Sequence, residues 1–360
     1  MSLGAGVLPG CVGGRVVERV PPPPGPAPTR PAWPPAEDYP APDLADRRVL
    51  RQLTGVRPYR RGSVRVELET VRDKPVVHQY GHGGAGITLA PATAHDAIDL
   101  LASAGVAPPQ TVAVLGAGVV GMTTADLLLE RGYRAVLYTE HVTPNTTSDV
   151  AGGQFAPATV AVDRADRLNR WMRLASDYYL PRAGRSCGVD HVVNFTDGVA
   201  GGALRRLPDA RFRHATIERL PITGVRQPGQ AYETLIVAPP IYLPWLAQRL
   251  QQGGARLRFR RFESREQVAA LPEAAVMNCL GLGAKTVFDD DDLIPIRGRL
   301  VLLDPQPLGY LLSHRRGYLF SRSDALILGG TYDRGQTDTS PDPRVTGELL
   351  DRHRRFFLQI

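Results

Sequence analysis

Hydrophobic and polar residues alternate along this chain in patterns that predict strands and helices in turn. VRVELET (64–70) and PVVHQYG (75–81) alternate with the period of two that is typical of strands. In AHDAIDLLASA (94–104), apolar residues at helical spacing precede Gly105, so a helix ending there is predicted. Further strands and a final helix are predicted in AAVMNCLG (274–281), ALILGGTY (325–332) and PRVTGELLDRHRRFFLQI (343–360). The whole pattern predicts a mixed α/β fold.

The segment TVAVLGAGVVG (111–121) carries the strongest chemical signal in these patterns. A β-branched strand runs into Gly116, Gly118 and Gly121, whose spacing is GxGxxG, and a helix follows. In that arrangement the glycines allow a tight turn and let N–H groups at the helix N-terminus approach a pyrophosphate. A second strand ends at Glu140, at the distance expected of an acid that binds ribose hydroxyls. The segment predicts a dinucleotide site, and on spacing alone FAD and NAD both fit.

Composition narrows the classes of function. All but two of the 43 basic residues are arginine, and they are scattered among acids rather than gathered in a stripe. The net charge of +7 therefore does not predict nucleic-acid binding. No apolar run approaches the ~20 residues that cross a bilayer, so no membrane partner is expected.

Metal and disulfide sites are not expected either. Cys11, Cys187 and Cys279 are too far apart to form CxxC pairs, and the histidines form no HxH or HExxH pattern. The DDDD run at 289–292 is interpreted as a solvated charge run before a strand. The cysteine usage fits a reducing cytoplasm.

Proline is concentrated near the start of the chain. Residues 21–42 hold eleven of the 32 prolines. Proline has no N–H to donate, so such a stretch cannot form helix or sheet ladders. We therefore expect residues 1–44 to form a disordered, proline-rich tail.

Several blocks resemble one flavoenzyme family. YTEHVTPNTTSDVAGGQFAP (138–157) resembles the flavin-wrapping segment of D-amino-acid oxidases. LTGVRPYRRGSVRVE (53–67) and VVHQYGHGGAGIT (76–88) resemble that family's C-terminal signature. Further family-like blocks are VMNCLGLGAKT, PIRGRLVLL and LGGTYDRG. The resemblance covers roughly residues 45–360.

The order of these blocks differs from that of the family. Such oxidases begin with the glycine fingerprint and end with the arginine strand, the glycine loop and a helix. Here that ending comes first and runs through VAPPQ (106–110) into Thr111. We interpret this as a circular permutation with its new break between Ile360 and the segment near Asp43, since domain termini often lie close together. Two misjoined gene fragments are the alternative.

The resemblance implies an α/β fold in which a Rossmann-like FAD-binding domain joins a mixed-sheet substrate domain, in permuted chain order. The predicted FAD-binding domain comprises residues 45–158 and 235–296. The predicted substrate domain comprises residues 159–234 and 297–360. Both domains are therefore expected to be discontinuous in sequence.

FAD is the cofactor that the resemblance implies. Glycine is needed where backbone approaches the flavin ring, because a Cβ would collide with the cofactor or forbid the turn. The cofactor residues that the fingerprint and the resemblance predict are Gly83, Gly84, Ala85, Gly86, Ile87, Thr88, Gly116, Ala117, Gly118, Val119, Val120, Gly121, Glu140, His141, Thr147, Ser148, Gly152, Gly153 and Gln154.

Substrate binding is implied at fewer positions. Arg57, in GVRPYR, matches the family's substrate arginine, whose planar fork takes both oxygens of an α-carboxylate. Tyr318 and Tyr332 match tyrosines that help hold the substrate, and Gly84 is expected to contact it. Tyr332 stands where the acidic-substrate branch carries arginine, which argues for a neutral D-amino acid. Ala156 replaces a glutamine found near the substrate in many relatives, which leaves the side-chain preference open.

The implied reaction is oxidation of a D-amino acid by hydride transfer from Cα to flavin N5. O2 reoxidises the flavin to give H2O2, and the imino acid hydrolyses to a 2-oxo acid and ammonia. The implied partners are a small amino acid and O2, and a homo-oligomer is left open. Two other functions stay open: an oxidase of glycine or of an N-substituted amino acid in specialised metabolism, and a flavin-binding module without turnover.

Overall fold

The part of the chain described by the computed structural model is residues 38–198 and 211–358, with Arg30, Trp33 and Pro35. Most of the expected proline-rich tail, including Cys11, lies outside these residues, as does Ile360. Within the described part, no helix is both long enough and apolar enough to cross a membrane.

The described residues form fifteen strands, seven α-helices and three short 3-10 helices. The strands are β1 (Val49–Arg60), β2 (Arg65–Val71), β3 (Lys74–Tyr80), β4 (Thr111–Leu115), β5 (Arg134–Thr139), β6 (Val189–Thr196), β7 (His214–Ile217), β8 (Gly229–Val237), β9 (Arg256–Phe259), β10 (Ala275–Asn278), β11 (Leu293–Leu303), β12 (Tyr310–His314), β13 (Gly317–Ser321), β14 (Leu326–Gly329) and β15 (Asp333–Arg334). The helices are α1 (Gly86–Ser103), α2 (Val119–Glu130), α3 (Ala165–Tyr179), α4 (Pro239–Gln252), α5 (Arg265–Ala269), α6 (Gly283–Val287) and α7 (Pro343–Phe357).

The smaller sheet has six strands in the order β2-β3-β10-β4-β5-β9. Neighbours from β3 to β9 are parallel, and β2 pairs with β3 antiparallel. The interior strands β4 and β10 are almost wholly buried, as expected of parallel strands that are covered on both faces. Helices α1 and α2 pack together, and their Leu101 and Leu128 share a core with Val112 of β4. This is the strand–loop–helix arrangement that the glycine fingerprint predicted.

The larger sheet has nine strands. Eight follow the order β1-β11-β14-β13-β12-β6-β8-β7, and β15 pairs with β11. β6 and β12 are parallel, whereas the other pairs are antiparallel. One side of this sheet is buried in a core that includes Phe195, Tyr310 and, from α7, Leu349. The prediction of a mixed α/β fold is therefore confirmed, with two mixed sheets.

Residues 45–104 belong to both sheets. β1 pairs with β11 along almost its entire length, β2 and β3 form one edge of the smaller sheet, and α1 packs on α2. The segment is thus not a separate module. Its first strand lies in the larger sheet, although the predicted boundaries placed it in the FAD-binding domain, because antiparallel pairing with β11 holds it there.

Residues 38–44 pack against the larger sheet, although the sequence placed them in the tail. The Tyr39 ring lies edge-on to the rings of Phe195 and Tyr310, with centroids 5.2 and 5.6 Å away. Leu44 is buried as well. Burial of an aromatic ring offsets much of the conformational entropy lost when such a segment is ordered.

Helix α1 begins at Gly86, well before the predicted start at residue 94. The additional turns contain Pro91, which has no N–H to donate to the carbonyl four residues earlier, that of Ile87. The Tyr179 hydroxyl, from α3, donates to this carbonyl at 2.7 Å. A tertiary contact therefore satisfies the buried acceptor that proline leaves open.

Candidate functional site

A cavity of about 630 Å³ is lined by residues of both sheets. Gly116, Thr139 and Cys279 line it where parallel strands of the smaller sheet end. Arg57 and Tyr318 line it from the larger sheet. Ligands of open α/β sheets bind outside the carboxyl ends of parallel strands, and the volume is typical of cofactor and small-molecule sites.

The glycine fingerprint forms the turn between β4 and α2. Gly116 has a φ of +99°, a conformation that favours glycine. A Cβ on Gly121 would overlap the Gly116 carbonyl, so this glycine lets the helix pack closely on the turn. Gly118 is the N-cap of α2 and lines the cavity. The positive end of the α2 dipole therefore meets the cavity at the position predicted for a pyrophosphate.

Two further segments complete this end of the cavity. Glu140 and His141 line it just after β5, and the half-exposed Glu140 carboxylate lies 3.8 Å from Arg261. Thr147 and Ser148 line it too, and Ser148 Oγ accepts a hydrogen bond from the Val119 N–H at 2.9 Å. A carboxylate and the first N–H groups of a helix suit a ribose and a phosphate, respectively.

The glycine loop between β3 and α1 also lines the cavity. Gly83 has a φ of +56°, and a Cβ there would overlap the Thr159 carbonyl. On Gly84 a Cβ would lie 2.9 Å from the Ala158 carbonyl oxygen. Beside them, burial lowers the pKa of His82 to about 3, and its Nε2 is 3.0 Å from Thr93 Oγ1. His82 is therefore a neutral, buried anchor of the loop.

Most of the predicted cofactor residues line the cavity, and three do not: Ala85, Thr88 and Gly121. Ala85 is fully buried in the core. The Thr88 hydroxyl donates to the Ala156 carbonyl and accepts from the Ala156 N–H, both at 3.0 Å. These three residues therefore support the cavity wall from behind.

A buried side-chain nitrogen in the cavity wall tests whether the cofactor end of the cavity fits FAD. The side-chain nitrogen of Gln154, which lines the cavity, is buried and has no hydrogen-bond partner in the described part of the chain. Buried amide N–H groups almost always have an acceptor, so this one calls for an acceptor on a ligand. The oxygens and nitrogens of a flavin ring supply such acceptors. The donor, the helix end and the glycine loop together fit FAD.

Arg57 lines the other end of the cavity from β1. In the described chain no carboxylate pairs with its guanidinium, which neighbours the Tyr318 hydroxyl and lies 3.5 Å from the Thr331 carbonyl. A Cβ on Gly298 of β11 would overlap this guanidinium. Gly298 thus makes room for Arg57, and the sequence reasoning missed it. Its one signal was its place in the PIRGRLVLL block.

Tyr318 lies on β13 beside Arg57. Its ring stacks on Phe320 at 4.6 Å between centroids, and a Cβ on Gly329 would overlap it. Burial raises the pKa of Tyr318, and the Arg57 guanidinium partly offsets that effect. The phenol is therefore a neutral donor next to an arginine that has no carboxylate partner in the described chain. Gly329, which makes room for the ring, was also missed, although it lies in the LGGTYDRG block.

Tyr332 is not brought to the cavity. Its side chain is 56% exposed, and it is not among the lining residues. The preceding residue, Thr331, is tied down because its hydroxyl accepts from the Arg299 N–H at 3.0 Å and donates to Asp333 at 3.2 Å. The segment after β14 therefore turns away from the cavity, and Tyr332 faces outwards. Arg315, in the tight turn between β12 and β13, is exposed and does not line the cavity.

Comparisons with known proteins agree with this geometry. Residues 111–360 match the family described as FAD dependent oxidoreductase, DAO. A D-amino-acid oxidase of Streptomyces coelicolor is 32% identical over 256 residues, which cover 67% of this chain and 76% of that protein. A D-aspartate oxidase of Homo sapiens is 28% identical over 256 residues, covering 67% and 74%. An iminodiacetate oxidase structure from Chelativorans sp. BNC1 has a similar fold, with a TM-score of 0.50 at 16% identity, covering 67% of this chain and 77% of that one.

The family match covers well over half of the chain and includes the glycine fingerprint, Gln154 and Tyr318. FAD is the cofactor of that family, and the cavity offers the residues to hold it. The chain therefore belongs to the DAO family of FAD-dependent oxidoreductases and has an activity of the amino-acid-oxidase type.

Proposed function

We propose that the protein oxidises D-amino acids with neutral side chains to 2-oxo acids, ammonia and H2O2. The observation that carries the proposal is Arg57, an arginine in the cavity wall without a carboxylate partner in the described chain and beside the Tyr318 hydroxyl. A guanidinium fork binds both oxygens of a carboxylate, and a neutral phenol donates a third hydrogen bond. The similarity to a D-amino-acid oxidase and a D-aspartate oxidase supports the D configuration.

A neutral side chain is favoured by the charges around the cavity. Arg57 is needed for the α-carboxylate. The other arginine in the wall, Arg260, lies after β9 near the cofactor end, with its guanidinium 4.8 Å from the centre of the Phe262 ring. No second cation of the described lining residues is thus left for an acidic side chain.

The residues of the chain act by binding and orientation. Arg57 and Tyr318 hold the carboxylate, and Gly83 and Gly84 contribute backbone to the cavity wall. When bound, FAD supplies the acceptor for a hydride from the substrate Cα and passes the two electrons to O2. The amine must reach this site as the free base, so that its lone pair can form the C=N bond as the hydride leaves.

Two titratable groups of the wall, His82 and Cys279, are not suited to acid–base catalysis. Burial lowers the pKa of His82 to about 3, so this histidine stays neutral. Burial also raises the pKa of the Cys279 thiol to about 12, which keeps it from acting as a nucleophile. Neither group is placed to exchange protons with a substrate near neutral pH.

The test is a peroxide assay of the purified, flavin-loaded protein over D- and L-amino acids, glycine and N-alkyl glycines. We expect H2O2 and 2-oxo acid from neutral D-amino acids, and little from L-amino acids or from D-aspartate. Turnover confined to glycine or N-alkyl glycines would favour the oxidase of N-substituted amino acids. Flavin-loaded protein without turnover on any of these compounds would contradict the proposal.

We further propose that the chain is a circularly permuted member of the family. The family match begins at Thr111, yet Arg57 and Gly84, which precede it, line the same cavity. In the family's order, α7 would be followed directly by the segment near residue 43. These two segments are near each other, because Arg354 of α7 donates to the Leu44 carbonyl at 2.6 Å. A reordered gene that opens at Thr111 and joins α7 to residue 43 through a short linker should yield flavin-binding protein. Reordered chains that fold without binding flavin would contradict the permutation.

A further inference from the structure

The wall of the cavity beside Tyr318 contains, besides Arg57, a serine among apolar residues. Ser313 of β12 is paired with Tyr318 of β13 in the antiparallel register, so both side chains lie on the same face of the sheet. Ser313 lines the cavity, as do Leu300 and Phe320. A hydroxyl therefore interrupts an apolar wall at the residue opposite the substrate tyrosine.

Behind Ser313 lies a buried amide. Asn194 of β6, the strand next to β12, is fully buried. The Ser313 hydroxyl donates to Asn194 Oδ1 at 3.3 Å. Asn194 Nδ2 is buried and has no hydrogen-bond partner in the described part of the chain. Asn194 is not among the lining residues, so it orients the Ser313 hydroxyl from behind the cavity wall.

Ser313 and Asn194 are both neutral side chains. The neighbouring residue of β6 on this face, Thr196, accepts a hydrogen bond from Gly198 N–H at 3.3 Å. The nearest turn carries Asp197, whose carboxylate accepts from the Arg315 N–H at 3.2 Å, at the exposed end of the hairpin. No charge of the described chain pairs with Ser313 or Asn194.

We propose that Ser313, oriented by Asn194, forms a subsite for the substrate side chain, selecting neutral groups that hydrogen bond: a hydroxyl or a carboxamide. The proposal rests on the proposed function, since it assigns the side-chain end of the same substrate. Ser313 Oγ, while donating to Asn194, keeps lone pairs that accept from a substrate donor. An apolar side chain would leave these lone pairs without a donor, and unpaired polar groups in a binding site discriminate strongly.

The experiment compares substrates of equal shape on the flavin-loaded protein. D-Valine has a methyl group where D-threonine has a hydroxyl. D-Leucine has an isopropyl group where D-asparagine has a carboxamide of similar shape. We expect kcat/KM for the polar member of each pair to exceed that for the apolar member by roughly tenfold or more. D-Aspartate, which has the shape of D-asparagine with a charge, should be poor.

Ser313→Ala should bring the ratio for D-threonine over D-valine close to one. Asn194→Leu should reduce the same ratio. Ser321→Ala is the matched control, because Ser321 is a serine of the neighbouring strand whose hydroxyl donates to the Gln306 carbonyl and does not line the cavity. It should leave the ratio unchanged.

The outcomes separate the subsite from the function. Equal rates on D-threonine and D-valine in the unmodified protein, or an unchanged preference in Ser313→Ala, would overturn the subsite and leave D-amino-acid oxidation intact. Should both variants lose flavin, the ratio in the unmodified protein decides. No peroxide from any D-amino acid would overturn the proposed function itself.

Discussion

The two ends of the cavity are built from different groups of the chain: backbone at the cofactor end and side chains at the substrate end. At the cofactor end, Gly83 and Gly118 place backbone in the wall, and a helix terminus supplies N–H groups. At the substrate end, the wall consists of side chains, with Arg57 and Tyr318 from the larger sheet. The first end is suited to a ligand that never changes, and the second can be adjusted by single side-chain substitutions.

Glycine has opposite roles at these two ends. Gly121 and Gly83 let two backbone segments approach each other, because a Cβ on either would overlap a carbonyl. Gly298 and Gly329 make room for a functional side chain, since a Cβ would overlap Arg57 or Tyr318. Substitution of Gly121 or Gly83 should therefore affect folding and cofactor binding. Substitution of Gly298 or Gly329 should instead displace a substrate-binding side chain.

The largest expected effect is at Gly118. A valine there would place its branches in the cavity at the N-terminus of α2, where its Cβ would already lie 3.1 Å from Ser148 Oγ. We expect Gly118→Val to purify without flavin and hence without activity. Gly347→Ala is the control, because a Cβ on Gly347 meets nothing within 4 Å. Full flavin absorbance in Gly118→Val would contradict the role of the fingerprint.

The next effect is at Arg57. Arg57→Ala removes a charged, two-pronged contact, and a hydrogen bond to a charged group is worth about 1.5–3 kcal/mol. We expect the apparent substrate constant to rise roughly tenfold to a hundredfold, with a further loss of turnover as orientation is lost. Flavin content should stay unchanged. Arg57→Lys should recover only part of the activity, since an ammonium lacks the fork.

Unchanged kinetics of Arg57→Ala on every carboxylate substrate would place the substrate site elsewhere. A loss of flavin in the same variant would show that cofactor binding depends on Arg57, so that the two ends of the cavity are not independent. Either result breaks the division between a backbone-built cofactor end and a side-chain-built substrate end.

Gly298→Ala should give a smaller change of the same kind. The added Cβ would push the Arg57 guanidinium from its place without removing its charge. We expect kcat/KM to fall roughly tenfold, because a displaced fork orients the carboxylate poorly. Flavin content and thermal stability, compared with Gly347→Ala, show whether the effect is confined to the substrate end. Wild-type kinetics would mean that Arg57 has room to move.

Lowering the pH should reduce the free energy of unfolding, because some histidines are buried as neutral groups. His353 of α7 lies behind Tyr318: its Nδ1 is 2.8 Å from His314 Nε2, and its Nε2 is 3.2 Å from the Gly329 carbonyl. Burial lowers the pKa of His353 to about 4 and that of His314 to about 3. An unfolded histidine takes up its proton near pH 6.5. The unfolded state thus binds more protons below that pH, and stability is lost as the pH falls from about 6.5 towards 4.

The measurement is the free energy of unfolding in urea between pH 7 and pH 5. His353→Gln, which keeps a neutral donor and acceptor, should flatten the dependence by up to about 1.4 kcal/mol per pH unit, the value for one proton. Equal pH dependence in the unmodified protein and in His353→Gln would show that His353 takes up its proton in the folded state as readily as in the unfolded state.

The sequence predicted the cofactor end better than the substrate end, for a physical reason. The GxGxxG turn is local, so the spacing of Gly116, Gly118 and Gly121 was sufficient to predict a strand, a turn and a helix in series, although α2 begins at Val119, within the fingerprint rather than after it. The roles of Gly298 and Gly329 depend on which side chain lies on the neighbouring strand, and the register between paired strands is not visible in a local pattern.

Two other differences have the same origin. The start of α1 depends on the Tyr179 hydroxyl, which satisfies the carbonyl that Pro91 leaves open. In the DDDD run, which the sequence suggested was solvated, Asp290 is buried and accepts from Tyr80 at 2.7 Å and from Arg60 at 2.9 Å. In each case a partner far away in sequence decides the outcome.

The smallest expected effect, at Tyr332, separates resemblance from geometry. The sequence grouped Tyr332 with Tyr318, but its side chain is 56% exposed and lies outside the cavity wall. Tyr318→Phe removes a hydrogen bond to the substrate and should lower kcat/KM roughly twofold to tenfold. Tyr332→Phe should leave kcat/KM and flavin content unchanged, because its hydroxyl is in contact with solvent. A loss in Tyr332→Phe equal to that in Tyr318→Phe would mean that the segment after β14 folds over the substrate during turnover, so that the substrate end is completed only when it is occupied.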